Sequence, residues 1–193
     1  AHTENSRTLD ASNQFLWRMN RRRLDAESMR DTILAVSGQL DSTMGGPSDE
    51  HFFFKDDHSP VYDYARFDIK SPKARRRSIY RFLVRSVQDP FMESLDCADP
   101  SLLVDKRRSA LTAIQALALL NDPIIIEQSE HLAARLMAHS SDVHQQIDYA
   151  YRLVLARPPS KEELNLLSDY VNRRGVANLA RLIFNSNEFL FVD

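Results

Sequence analysis

His51, Asp56, Asp57 and His58 form the one compact group of imidazole and carboxylate side chains in this sequence. Imidazole nitrogen and carboxylate oxygen together suit zinc, iron or manganese, provided that the donors converge in a fixed geometry. The competing use is a polar surface loop, which a segment without clear periodicity favours. Asp56, Asp57 and Asp63 offer a second chemistry, acid and base work on a glycosidic bond. That needs two carboxyl groups roughly 5–10 Å apart with one pKa raised. Around them Phe52, Phe53, Phe54, Tyr62, Tyr64 and Phe67 make a dense aromatic run that can stack on sugar rings or fill the core of a small sheet.

Three basic clusters stand out, Arg21-Arg22-Arg23, Arg75-Arg76-Arg77 and Lys106-Arg107-Arg108. With tyrosines nearby they could build a stacking and anion-binding face, for which Arg22, Arg76, Arg77, Tyr62 and Tyr64 are the candidate contacts. The chain carries 25 Lys+Arg against 27 Asp+Glu, a formal charge of −2, so no global field attracts nucleic acid. An acidic protein face or a sulfated glycan is the better match to a local patch. Glu127, His131 and Arg135, and again His144, Asp148 and Arg152, recur four residues apart and read as solvated ion pairs on helix surfaces.

Several chemistries are absent by motif. There is no Cys-x-x-Cys-His, so no haem is covalently attached within the segment and no cofactor is expected in it. Glycine-rich nucleotide fingerprints and the Gly-x-Ser-x-Gly elbow are missing too. The single cysteine, Cys97, sits between Asp96 and Asp99, which disfavour a thiolate, and it reads as a half-buried filler. No apolar run reaches the ~18 residues of a membrane span.

The elements that must position these residues are mostly helices. The first ten residues read as frayed, and the knot Phe15, Leu16, Trp17 and Met19 as docking on the core. Asp25 is a cap for an amphipathic helix over 25–40, stopped by Gly45-Gly46-Pro47. Period-two alternation from Val61 to Ile69, and again over Ser78–Arg85, predicts a small sheet or hairpin between 50 and 86. Residues 88–101 read as an irregular connection with one helical turn. Thr112 and Gln115 have capping-box spacing, and the apolar helix they open reads as the central buried one. Asp122-Pro123 starts the next helix. Val143, Ile147, Ala150, Tyr151 and Val154 trace one buried face, and Ser160 with Glu163 opens a further helix with Leu164, Leu167 and Val171 inward. Gly175 ends that helix, and a last one leads to an apolar tail expected to pack down. The fold class is therefore mainly α, a bundle-like antiparallel domain of five or six helices with a small β element. Residues 1–193 read as one domain, mixed over 1–109 and helical over 110–193.

Four strings in order, NRRRLDAESMRDTILAVSGQLDSTMGGPS at 20–48, RRSIYRFLVRS at 76–86, QALALLNDP at 115–123 and NSNEFLFVD at 185–193, resemble the planctomycete secreted domain of unknown function, the "PSD" module that follows cytochrome-like regions in large proteins. The resemblance implies export to the periplasm or cell envelope, a larger parent chain with haem modules upstream, Asp193 as the natural C-terminus, and a segment trimmed at its start. It supplies no catalytic residue.

The favoured function is a non-catalytic structural or interaction module that meets protein or other domains of its parent chain. The alternative is a glycan-binding or polysaccharide-acting domain using the carboxylates and aromatics of 50–68. Nucleic acid and membrane insertion are not expected.

Overall fold

Helix α5, Pro123–His139, is the element around which the others are arranged in the computed structural model, which describes residues 4–103 and 110–192. Its start carries two local signals. The Asp122 carboxylate accepts from Ile124 N (2.9 Å), and Pro123 occupies the first turn, where its missing N–H costs nothing. Ile125, Leu132, Ala133 and Leu136 are buried along one stripe, against α2 (Ala26–Ser37) on one side and α8 (Val176–Phe184) on the other. Helices α4 (Ala113–Asn121), α6 (Val143–Val154) and α7 (Lys161–Arg174) complete the packing, so the fold is mainly α. The capping boxes at Thr112/Gln115 and Ser160/Glu163 both form, and Ile147, Ala150 and Tyr151 are buried on α6.

The chain ends tie into this core. Short helices α1 (Glu4–Leu9), α3 (Pro90–Ser94) and α9 (Asn187–Leu190) accompany two small antiparallel ladders. Strand β1 (Arg22–Arg23) pairs with β4 (Phe191–Val192) in the register Arg22↔Val192, and Phe189 and Leu190 are buried. The apolar tail therefore packs down, as its composition predicts. Strands β2 (Phe53–Lys55) and β3 (Val61–Asp63) form a hairpin with Phe54 opposite Tyr62.

Six expectations are corrected. Helix α2 ends at Gly38, slightly short of the expected bound at 40, so Gly38 and not Gly45-Gly46-Pro47 stops it. Gly38 adopts φ +79° and its N–H donates to the Ala35 carbonyl (3.1 Å), a left-handed ending that glycine allows at no steric cost. The alternation from Val61 ends at Asp63, whose carboxylate accepts from Ala65 N and starts a 3₁₀ turn over Tyr64–Arg66. Ser78–Tyr80 is likewise a 3₁₀ turn, not a strand, because Asp31 fixes Ser78 through its N–H and its hydroxyl (2.7 Å each). Helix α4 is not the buried centre. Only Gln115 and Leu119 face inward, while Leu111, Ile114 and Leu117 are 63%, 68% and 58% exposed. Finally, Phe15, Leu16 and Met19 are exposed rather than docked, and residues 4–9, expected to fray, are helical.

Candidate functional site

Both Asp-Pro dipeptides that start helices, Asp89-Pro90 and Asp122-Pro123, border one cavity of about 410 Å³. Helix α2 contributes Arg30 and Leu34 to its wall, and the segment leaving the hairpin contributes Tyr64, Ala65, Phe67 and Ile69. His51, Phe91, Ile124 and Gln128 line it as well. The site thus joins residues from five stretches of sequence, with apolar and aromatic walls and a few polar groups, the usual build of a small-molecule pocket.

One wall is a buried polar network. Arg30 is 3% exposed; its Nη2 donates to Ala74 O (2.6 Å) and its Nη1 to Arg76 O (2.9 Å) and Ser78 Oγ (3.2 Å), with Asp31 beside it at 3.4 Å. Burial, and then the charge of Arg81, lower its pKa to about 10, so it stays cationic at neutral pH. Arg81 donates through Nη2 to Asp89 Oδ2 and through Nε to His51 Nδ1 (3.2 Å). His51 Nδ1 is therefore an acceptor, and its Nε2–H donates to Lys73 O (2.9 Å). The ring stacks on Phe67 with centroids 4.9 Å apart. Desolvation first, then the charges of Arg30 and Arg81, hold His51 neutral, with a pKa of about 3.

The two aspartates differ in how fully they are satisfied. Asp89 Oδ1 accepts from Phe91 N (2.9 Å) and Met92 N (3.2 Å), and its other oxygen takes Arg81. Asp122 is half-buried and accepts only from Ile124 N, with no cation paired to it among the described residues. Burial raises its pKa, the Ile124 N–H opposes the rise, and the Asp89 charge adds to it. Gln128, 5% exposed, accepts at Oε1 from the Ser37 hydroxyl (2.7 Å), and its NH2 has no partner among the described residues.

The residues singled out from sequence are dispersed. His51 is buried in the network, whereas Asp56, Asp57 and His58 lie exposed at the hairpin turn, with Asp57 paired to Lys55 (2.9 Å). Among the described residues, no three His, Cys, Asp or Glu side chains are grouped to hold a metal ion. Asp63 caps its 3₁₀ turn. Tyr64 lines the cavity and Tyr62 packs edge-on to Phe52. Arg22 and Arg77 are exposed, but Arg76 donates to Gly45 O (2.6 Å), Pro47 O (3.0 Å) and Asp49 (3.1 Å) and lies over Tyr80. Lys106-Arg107-Arg108 lies outside the described residues. Cys97 is half-buried, its thiol 3.8 Å from Glu27 Oε1.

The i, i+4 ladders are also only partly solvated. Arg152 pairs with Asp148 at the surface (2.7 Å), and His131 meets Glu127 (3.3 Å). Arg135 instead donates to Val36 O (2.9 Å), satisfying a carbonyl at the end of α2. Asp89, Asp122, Arg30, Arg81 and Gln128 were not singled out for chemistry from the sequence. The repeated Asp-Pro helix start was the available signal, since it marks two carboxylates held at helix N-termini.

No helix among the described residues is long and apolar enough to cross a membrane. No curated protein and no solved structure matches the chain. The family model described as PSD1, protein of unknown function (DUF1553), matches residues 1–171, and the chain belongs to that family.

Proposed function

We propose that this chain is a binding domain for a hydroxylated ring ligand of the saccharide class, seated in the cavity between the two Asp-Pro helix starts. One observation carries the reading. A cavity of about 410 Å³ combines aromatic and apolar walls with two incompletely satisfied polar groups, the Asp122 carboxylate and the Gln128 amide. Sugar hydroxyls both donate and accept, so they match a carboxylate and an amide side by side, and the ring's apolar face matches Phe67 and Ile124. The exposed hairpin rings Phe53 and Phe54 flank the stretch that carries Tyr64 and Phe67, and they can extend the contact to a longer chain. The glycan reading thus moves from the hairpin carboxylates Asp56, Asp57 and Asp63 to Asp122. Export of the parent chain, which the resemblance implies, fits this reading by placing the cavity among extracellular polymers.

Calorimetric titration with a panel of soluble oligosaccharides tests the proposal. Saturable binding to the wild type and its loss in Ala65→Trp, which fills the cavity from an exposed rim position, is the expected result. Binding that survives this substitution, or no binding at all, overturns it.

A second reading, a module that docks on protein or on other domains of its parent, is favoured by α4. Its Ile114 and Leu117, with Leu111 just ahead of the helix, present an apolar face to solvent, as interaction surfaces do. Substituting Ile114 and Leu117 with lysine should abolish capture of such a partner without unfolding the chain.

A further inference from the structure

We propose that the ligand of this cavity presents a protonated amine to Asp122, which makes its class an amino sugar rather than a neutral one. The proposal rests on the saccharide reading above and specifies the group that the site selects.

The charges around the cavity balance at every group but one. Arg30 is countered by Asp31 and held by carbonyls, so its charge is already compensated. Arg81 and Asp89 neutralise each other. His51 is uncharged, its two ring nitrogens engaged by Lys73 O and Arg81 Nε. That leaves Asp122 as the charged group on this wall without a counter-ion among the described residues.

Comparison with Asp89 shows what is missing. The two residues occupy the same position in the same local motif, an N-cap before a proline. Asp89 receives two backbone N–H groups and a guanidinium, whereas Asp122 receives one N–H. A half-buried carboxylate in that condition is stabilised by an incoming cation more than by a neutral donor, because desolvation strengthens the charge–charge interaction. Gln128 supplies the second, independent observation. It is buried and lines the same cavity one helical turn beyond Ile124, and its NH2, a hydrogen-bond donor, has no partner among the described residues. The Gln128 oxygen is taken by Ser37, so its free half is the NH2, which can donate to the hydroxyl oxygen beside the amine while the ammonium meets Asp122.

The experiment titrates the full chain, at low ionic strength and mildly acidic pH, with three tetrasaccharides: glucosamine tetramer, its N-acetylated form and the neutral glucose tetramer cellotetraose. The amine-bearing tetramer should bind at least roughly tenfold more tightly than the other two. Asp122→Asn should erase that preference while changing the neutral affinities by less than about twofold. Asparagine is itself a good N-cap, so α5 should keep its start, and circular dichroism checks this. Asp57→Asn, at the exposed hairpin turn, should leave the preference intact. Equal affinity for all three tetramers, or a preference that survives Asp122→Asn, overturns the amine assignment and leaves the saccharide reading standing. No binding of any tetramer overturns both.

Discussion

Replacing His51 with glutamine should flatten the pH dependence of stability between about pH 5 and pH 7.5. In the folded chain the imidazole is 7% exposed, donates from Nε2 to Lys73 O and accepts at Nδ1 from Arg81. A proton at Nδ1 would set N–H against N–H and add a third positive charge beside Arg30 and Arg81. The folded pKa is accordingly about 3, against roughly 6.5 for an unperturbed histidine in the unfolded chain. The sign follows from proton uptake. As pH falls below about 6.5 the unfolded chain binds a proton that the folded chain refuses, so stability falls with pH until the folded value is reached. One proton gives about 1.4 kcal/mol per pH unit, hence about 2 kcal/mol lost by pH 5. With a urea slope of order 2 kcal/mol/M, the unfolding midpoint should move by about 1 M. Glutamine can donate to Lys73 O and accept from Arg81 without titrating, so His51→Gln keeps the two contacts and loses the slope. Urea unfolding at several pH values, followed by far-UV circular dichroism, measures both lines. Parallel lines for the two proteins would show that His51 is not held neutral, and the account of the network would fall with it.

Three further outcomes follow from the packing. Arg157 forks onto Glu163 (2.7 and 2.9 Å) and onto Glu188 (2.5 and 2.7 Å), joining the start of α7 to α9; because these groups are partly exposed, Arg157→Gln should cost only about 1–2 kcal/mol and lower Tm by roughly 4 °C in a thermal scan. Gly38→Ala meets only ordinary contacts at Arg135 but must hold φ +79°, so chemical denaturation should show a loss of about 1–2 kcal/mol. Within α4, Leu119→Ala should destabilise by roughly 2–5 kcal/mol, because Leu119 is fully buried, whereas Leu117→Ala should change stability by less than about 0.5 kcal/mol. A large cost at Leu117 would restore α4 as a core helix.

What the sequence made legible was local. Asp25, Thr112, Asp122 and Ser160 each announce a helix start because a cap and its N–H partner lie within three residues of one another. The single face of α6 is legible for the same reason, as its period is written in consecutive turns. Helix α4 misled because its composition is apolar on every side, and composition alone does not say which side meets a neighbour. The alternation of 61–69 misled because Asp63 prefers to accept from Ala65 N and turn the chain, a competition between side chain and ladder that Asp often wins. The cavity was out of reach for a different reason. Arg30, Arg81 and Asp89 meet only through folding: the two arginines look in the sequence like surface charges, and Asp89-Pro90 marks a helix start without saying which cation it meets.

That network explains why a cavity exists at this place at all. From residue 41 to residue 89 the chain has a short hairpin, 3₁₀ turns and two isolated bridges, Asp41↔Arg76 and Asp49↔Arg81, and its large buried side chains include as many polar groups, His51 and Arg81, as apolar ones, Phe52 and Val84. Such a segment cannot be held against α2 by apolar burial alone. Arg30 holds it instead, reaching from α2 to the carbonyls of Ala74 and Arg76, while Arg81 reaches from the segment to the cap of α3. Guanidinium bridges have fixed reach and geometry, so they fix the distance between the segment and the helices rather than letting apolar side chains collapse to close it. Removing one bridge partner would leave a buried charge unpaired, which is far more costly than the bridge is stabilising, and the arrangement is therefore rigid once formed. The opening left between them, with Asp122 and Gln128 on its α5 wall, follows from how the middle segment is attached.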